Sequence, residues 1–266
     1  LGENEVEVAF ESPVDYAAER AGAHPYDVRS IEFPVEQPHR NFIRKAQCHF
    51  GWDWGTCLPT VGIWRDAALV SFSAPRITDV AVGQEHAVGD AAADGADRTV
   101  DLQVDLRIES PDAGDYDVTV TFEDDEIDAA TTESVALDSG VDEATVPLAV
   151  DDPQLWWPAG HGDQPLYDLT VEIAPDASGE TVADTATERI GFREIELVRE
   201  GDEAGESFGF EVNGQPVYAK GANWIPTDGI PTRVEAADYD RLLSDAVDAN
   251  MNTIRVWGGG IYERDR

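Results

Sequence analysis

Val100, Leu102, Val104, Leu106 and Ile108 take every second position of a nine-residue run, with Asp, Gln, Asp and Arg between them. Alternation this strict puts one face in a core and the other in water, which is the two-residue period of a β-strand. Val118, Val120 and Phe122 repeat it, as do Leu169, Val171 and Ile173. Acidic or Gly- and Pro-containing turns separate such segments; the stretch 89–97, rich in Ala, Asp and Gly, is one. Residues 76–198 are therefore expected to form an immunoglobulin-like antiparallel β-sandwich of about seven strands.

The flanks read differently. Residues 1–75 carry short apolar stretches broken by Pro and Gly: Val6 to Phe10, Arg44 to Trp64, and Ala67 to Phe72. They are expected to be closing strands of another all-β domain, with Asp15 to Pro25 as a helical or irregular excursion. From residue 199 the order becomes strand, loop, helix, strand. Phe208 to Gln215 reads as a hairpin turning at Asn213-Gly214, and Val217 to Gly221 as a short strand. Thr232 to Glu235 fits a capping box, and Leu242, Leu243, Ala246 and Val247 form a helical stripe. Thr253 to Trp257 is the next strand. This is a βαβ unit, the building block of parallel sheets and (β/α)8 barrels, and about 68 residues hold only the opening of a barrel of roughly 250. With Leu1 first and Met251 its one methionine, the chain is read as a piece of a longer polypeptide.

Charge narrows the partners. There are 55 acidic residues against 18 basic, a net charge of −37, and Lys45 and Lys220 are the only lysines. Such a surface repels nucleic acid and anionic membranes, and no apolar run has the length of a membrane span. Seven Trp, seven Tyr and nine Phe set among regular apolar alternations argue for a folded chain, not a disordered one. A carboxylate-saturated, lysine-poor surface suits a salt-rich cytoplasm, where ions screen self-repulsion. A halophilic, cytoplasmic protein is expected. Cys48 and Cys57 are too few for a disulfide framework and are read as free thiols. The five scattered histidines show no zinc spacing, and no cofactor is expected.

Two constellations carry chemistry. In Phe50-Gly51-Trp52-Asp53-Trp54-Gly55 a carboxylate stands between two tryptophans and glycines. Indole faces cover the apolar face of a pyranose, and a carboxylate accepts hydrogen bonds from adjacent hydroxyls; a core tryptophan pair with a turn-forming Asp is the other reading. Asn223-Trp224-Ile225-Pro226-Thr227-Asp228 and Arg255-Val256-Trp257-Gly258-Gly259-Gly260 follow the two strands of the βαβ unit, at the strand ends where barrels bind ligands. Strand-end packing with a buried ion pair is the alternative there. Leu155 to Gly160 (LWWPAG) reads as structural packing at a domain seam.

Arg44 to Gly55, Pro59 to Arg65 (PTVGIWR), LWWPAG, Tyr218 to Asp228 (YAKGANWIPTD) and Met251 to Glu263 (MNTIRVWGGGIYE) closely resemble, in order, the β-mannosidases of glycoside hydrolase family 2. The resemblance implies a jelly-roll sugar-binding domain over 1–75, truncated here, the sandwich over 76–198, and the start of a (β/α)8 catalytic barrel over 199–266. It implies that Trp52 and Asp53 reach into the active site and hold the terminal sugar, that Trp257 lines the same subsite, and that Arg255 supports the site's carboxylates. Asn223, Trp224 and Asp228 fall near that pocket. The expected partner is a β-mannoside oligosaccharide.

The pattern departs from the family at the catalytic pair. A retaining glycosidase needs two carboxyls about 5–5.5 Å apart, glutamates on later barrel strands in this family, the first preceded by Asn. No Asn-Glu follows Arg255; Asn4-Glu5 lies in the first region, and Glu263 and Asp265 are expected to begin the next helix and not to occupy a strand end. The expected function is a retaining β-mannosidase whose catalytic glutamates lie outside this chain, so that the chain alone is inactive. Alternatives are a relative acting on a galactoside, glucuronide or glucosaminide, and a non-catalytic carbohydrate-binding or scaffold module.

Overall fold

The structure, a computed structural model, describes residues 5–29, 37–88, 98–122, 127–175 and 181–263. The chain divides into two compact units, one of residues 70–219 and one formed by 1–69 together with 220–266.

The 70–219 unit is built on seven long strands: β1 (Arg76–Val88), β2 (Arg98–Ser110), β3 (Gly114–Phe122), β4 (Ala130–Leu137), β5 (Gly140–Asp151), β6 (Tyr167–Pro175) and β7 (Asp184–Ile190). They form two antiparallel sheets, β1-β2-β5 and β4-β3-β6-β7. The expected count of seven is met. Against the constant-type immunoglobulin order, the fourth strand pairs with β3 and has left the fifth. The alternating residues of β2, β3, β5 and β6 make one core, in which Val104, Ile108, Val118, Val120, Val146, Leu169 and Val171 have no solvent exposure. Each contributes about 1.5–3 kcal/mol by leaving water. The turn expected at 89–97 lies outside the described residues.

Trp156 and Trp157 of LWWPAG pack inside this unit. Trp156 lies against Gly191 and under the Arg193 guanidinium, 4.5 Å from its ring centre, and Trp157 lies against Gly162. After β8 (Ile195–Val198), the two-residue strands β9 (Gly201–Asp202) and β10 (Gly205–Glu206) pair with each other as a separate ribbon. A smaller sheet joins β8 to β11 (Gly209–Val212) and β12 (Gln215–Val217), with β11 in the middle. Its turn is at Asn213 and Gly214, both with positive φ (52° and 73°), which explains the Asn-Gly pair.

The 1–69/220–266 unit departs from expectation in three places. Val6 to Phe10, Arg44 to Trp64 and Ala67 to Phe72 form no strands; the described residues before β1 hold one helix, α1 (Pro13–Ala23), and 3₁₀ turns at Arg40–Phe42 and Gln47–Phe50. A strand exists only within a hydrogen-bonded ladder, and no ladder among the described residues includes these segments. The helix begins at Pro13 because Ser12 caps it, accepting from the Asp15 amide (3.3 Å).

Secondly, the strand expected at 217–221 is β13, Gly221–Trp224. It runs parallel to β14 (Thr253–Val256), with Asn223 opposite Arg255 and Trp224 opposite Val256. Gly221 is required there, since a Cβ would overlap the Thr253 carbonyl. Thirdly, the helix α2 (Ala236–Asp248) starts one turn later than the Thr232 box predicts. Pro231–Arg233 forms a 3₁₀ turn, and the N-cap is Glu235, in a reciprocal capping box with Asp238. The exit of α2 is a Schellman motif: Met251 N–H donates to the Ala246 carbonyl (3.0 Å) and Asn250 N–H to that of Val247 (2.8 Å), with Asn250 at φ 60°.

Candidate functional site: a tryptophan cluster at a strand end

The Trp-Asp-Trp motif is held as a two-residue turn. Trp52 N–H donates to the Gly55 carbonyl (3.0 Å) and Gly55 N–H to that of Trp52 (3.2 Å), which leaves Asp53 and Trp54 at the tip. Both tip residues are exposed, and Trp52 is half-buried. The base of the loop is anchored by the Leu58 amide on the His49 carbonyl (2.8 Å) and packs on Phe50, which has no exposure.

The glycine loop after β14 comes to this turn. Trp257 N–H extends the parallel ladder by donating to the Trp224 carbonyl (3.0 Å), and Cys48 N–H donates to the Gly259 carbonyl (2.9 Å). Trp257 then meets Trp52 edge to face at 4.8 Å and Trp54 at 5.8 Å. A Cβ on Gly259 would overlap the Trp257 ring, so the glycine run gives that indole its space. Three tryptophans and one exposed carboxylate, from segments some two hundred residues apart, form one cluster.

The other expected residues divide between the two faces of the β13–β14 pair, because successive residues point to opposite sides. Arg255 donates to Asn223 Oδ1 (3.0 Å) on one face. Trp224 lies on the opposite face, stacked on Tyr239 of α2 (6.3 Å, 20° between planes), with its Nε1–H donating to Glu263 (3.0 Å). Tyr239 OH also donates to Glu263 (2.5 Å). A cavity of about 590 Å³ opens on this helical side, between Trp64, Trp224, Tyr239, Leu243 and Glu263, and its lining includes none of Trp52, Asp53 and Trp257. Asp228 takes a bidentate hydrogen bond from Arg233 (2.7 Å to each oxygen) and the Ile230 amide (2.7 Å). Arg233 first, and that amide second, hold its carboxyl below the usual range. Trp224 and Asp228 thus brace the loop after β13, Asn223 and Arg255 pair on the other face, and Trp52, Asp53 and Trp257 belong to the tryptophan cluster.

Sequence reasoning missed two neighbours. Arg40 is 2 % exposed, with its guanidinium 4.2 Å above the Trp52 ring. His49 is buried, and neither ring nitrogen has a partner among the described residues. Burial, and then the charge of Lys45, push its pKa down. Burial raises that of the Cys48 thiol, and Cys48 and Cys57 are both free. Among the described residues no group of His, Cys, Asp and Glu is placed to hold a metal ion, and no helix is long and apolar enough to cross a membrane. Asn4 and Asp265 lie outside the described residues.

Residues 1–65 match the glycosyl hydrolase 2 galactose-binding domain-like family, and residues 84–193 match glycosyl hydrolases family 2. The chain belongs to glycoside hydrolase family 2. Among family members, the β-mannosidase of Bos taurus is 35% identical over 273 residues, which cover 98% of this chain and 30% of that protein. Among solved structures, the β-D-mannosidase of Dictyoglomus thermophilum superposes with a TM-score of 0.81 at 37% identity, over 96% of this chain and 30% of the other. The exo-chitosanase of Amycolatopsis orientalis matches over 72% of this chain and 21% of its own, at 26% identity and a TM-score of 0.54. The chain thus spans about 30% of the length of the β-mannosidases it matches.

Proposed function

We propose that this chain is the non-catalytic part of a retaining exo-β-mannosidase, which removes terminal β-D-mannose from non-reducing ends through a covalent glycosyl-enzyme, with water as second substrate and no cofactor. The observation that carries the reading is the junction of Trp52 and Trp257: a turn tipped by Asp53 and a strand-end tryptophan share one surface. Indole faces give a pyranose its apolar platform, and Asp53 accepts from its hydroxyls. Arg255, tied to Asn223, is a fixed cation beside the place where the catalytic carboxylates belong. Trp224 and Asp228 brace the loop after β13 from the helical side.

The catalytic glutamates belong to the remainder of the protein. In this reading 1–75 are the end of a jelly-roll sugar-binding domain, 76–198 the immunoglobulin-like domain, and 199–266 the start of a (β/α)8 barrel. The parallel pair β13–β14 joined through α2, with a helix-covered face and a polar face, supports the barrel assignment. The better match to β-mannosidases than to the exo-chitosanase supports mannose over glucosamine. The carboxylate excess supports a halophilic, cytoplasmic protein.

The test is hydrolysis of p-nitrophenyl β-D-mannoside in molar KCl by the complete protein and by the 266-residue chain. The complete protein is expected to be active and the chain inert, and Asp53→Ala is expected to lower kcat/KM about 10- to 100-fold. Nitrophenol release by the chain itself, or a complete protein that prefers the β-galactoside or β-glucuronide, overturns the reading.

A further inference from the structure

The tryptophan that would carry the sugar is gripped from behind by a residue outside every motif. Arg40 is among the least exposed of the described residues before residue 70, 2 % accessible, and arginine is almost never fully buried unless paired. Its guanidinium lies 4.2 Å from the centre of the Trp52 ring, in the range where cation and π-face attract. The path of the chain delivers it there. Gln37 N–H donates to the Phe50 carbonyl (3.3 Å), which lays the segment before Arg40 beside the base of the Trp-Asp turn. His39 then adopts a left-handed conformation (φ 67°), turning the backbone into the short helix at Arg40–Phe42, which closes with Phe42 N–H on the His39 carbonyl (2.9 Å). A non-glycine residue with positive φ costs on the order of 1 kcal/mol or more, a strain of the kind that gathers at functional sites.

The turn at 52–55 fixes the backbone of Trp52, and the contacts on the ring decide where the indole points. Among those contacts are Arg40 on its π-face and the edge-to-face meeting with Trp257. We propose that Arg40 is a positioning residue of the sugar subsite: it locks the Trp52 ring, and through that ring sets the angle of Trp257, before the glycoside arrives. The inference rests on the β-mannosidase reading for the identity of the sugar, and on the geometry alone for the grip on Trp52. A platform set in advance lowers the ordering cost of binding, in the ground state and the transition state alike. Losing it therefore raises KM and spares kcat, whereas a simple folding defect lowers kcat through the fraction of active protein and leaves KM alone.

The experiment uses the complete protein in molar KCl, as wild type, Arg40→Lys and Arg40→Met, with p-nitrophenyl β-D-mannoside varied across KM. Near-ultraviolet circular dichroism is recorded on the same samples, with Trp52→Phe marking the band that arises from the Trp52–Trp257 pair. Arg40→Met is expected to raise KM about tenfold with kcat within about twofold of wild type, and to lose the pair band. Arg40→Lys, which keeps the charge but not the planar stack, is expected to fall between them. If Arg40→Met does not fold, the KM and band of Arg40→Lys decide. Unchanged KM and band, or loss of kcat alone, overturns the proposal. A wild type inert on the mannoside counts against the mannosidase reading, and the circular dichroism band still decides the role of Arg40.

Discussion

His49 is the residue whose placement has a pH signature. A buried imidazole with neither ring nitrogen partnered among the described residues is held neutral, and its folded-state pKa lies below the ordinary value of about 6.5. As pH falls below that value, the unfolded chain takes up the proton first. The stability held by neutral His49 is therefore complete above about pH 6.5 and is lost as pH drops through the depressed folded value. The midpoint of urea unfolding is expected to decline more between about pH 6.5 and pH 5.5 in the wild type than in His49→Gln. Parallel curves would mean that His49 is hydrated in solution. His86, lowered chiefly by its own burial, has the same sign, so the slope shrinks in the variant but does not vanish. Nothing in the sequence marks Arg40 as buried, because it stands between His39 and Asn41 where a surface residue reads the same. His49, though flanked by Cys48 and Phe50, has no periodic pattern around it to fix which way it faces. Trp52 and Trp257 stood out as glycine-flanked tryptophans, but the motifs alone left core packing open and only the family resemblance put them in one subsite; the structure brings the two indoles together.

At the scale of elements, α2 shows how a backbone signal delivers a site. Its Schellman end turns the chain through Asn250 directly into β14, which carries Arg255 and leads straight into Trp257. Asparagine tolerates the left-handed conformation, glycine does so without strain, and a β-branched residue resists it. Asn250→Gly is thus expected to leave stability unchanged or raise it by about 0.5 kcal/mol, and Asn250→Val to lower it by about 1–2 kcal/mol, in urea melts. Destabilisation by glycine equal to that by valine would show that the asparagine side chain, not the turn, is what matters. Periodicity made the strands of the sandwich legible because each has its partners inside the chain. It failed for Val6 to Phe10, whose alternation is just as regular but whose apolar side chains stay exposed, Val6 at 86 %, with no ladder neighbour among the described residues. It also failed by one turn at the start of α2: the Thr232 motif has the right spacing, but Pro231 favours a tight turn there and the reciprocal bonds form three residues later. The motif around Trp224 was placed at the correct strand end, but which face the indole takes is a matter of register, and that was visible only once β13 and β14 were paired.

For the molecule as a whole, the 55 acidic residues outnumber the 18 basic ones by 37, so most carboxylates have no cation to pair with. The sandwich shows where that repulsion acts. The outward face of β2 carries Asp101, Gln103, Asp105 and Arg107, and across the ladder Glu85 of β1 lies directly opposite Asp101. Like charges facing one another on adjacent strands destabilise a sheet by several tenths of a kcal/mol. Salt relieves this, because the screening length falls from about 10 Å at 0.1 M to about 3 Å at 1 M, below the spacing of neighbouring strands. The urea midpoint is therefore expected to rise steeply with KCl, and Asp101→Lys, which turns the facing pair attractive, to raise the low-salt stability by about 0.5–1 kcal/mol while flattening the salt dependence. A neutral osmolyte at matched concentration separates screening from general exclusion, since it cannot shield charge. If sucrose stabilises as well as KCl, or if the midpoint is the same in low and high KCl, self-repulsion is not what limits this fold and the carboxylate coat needs another explanation.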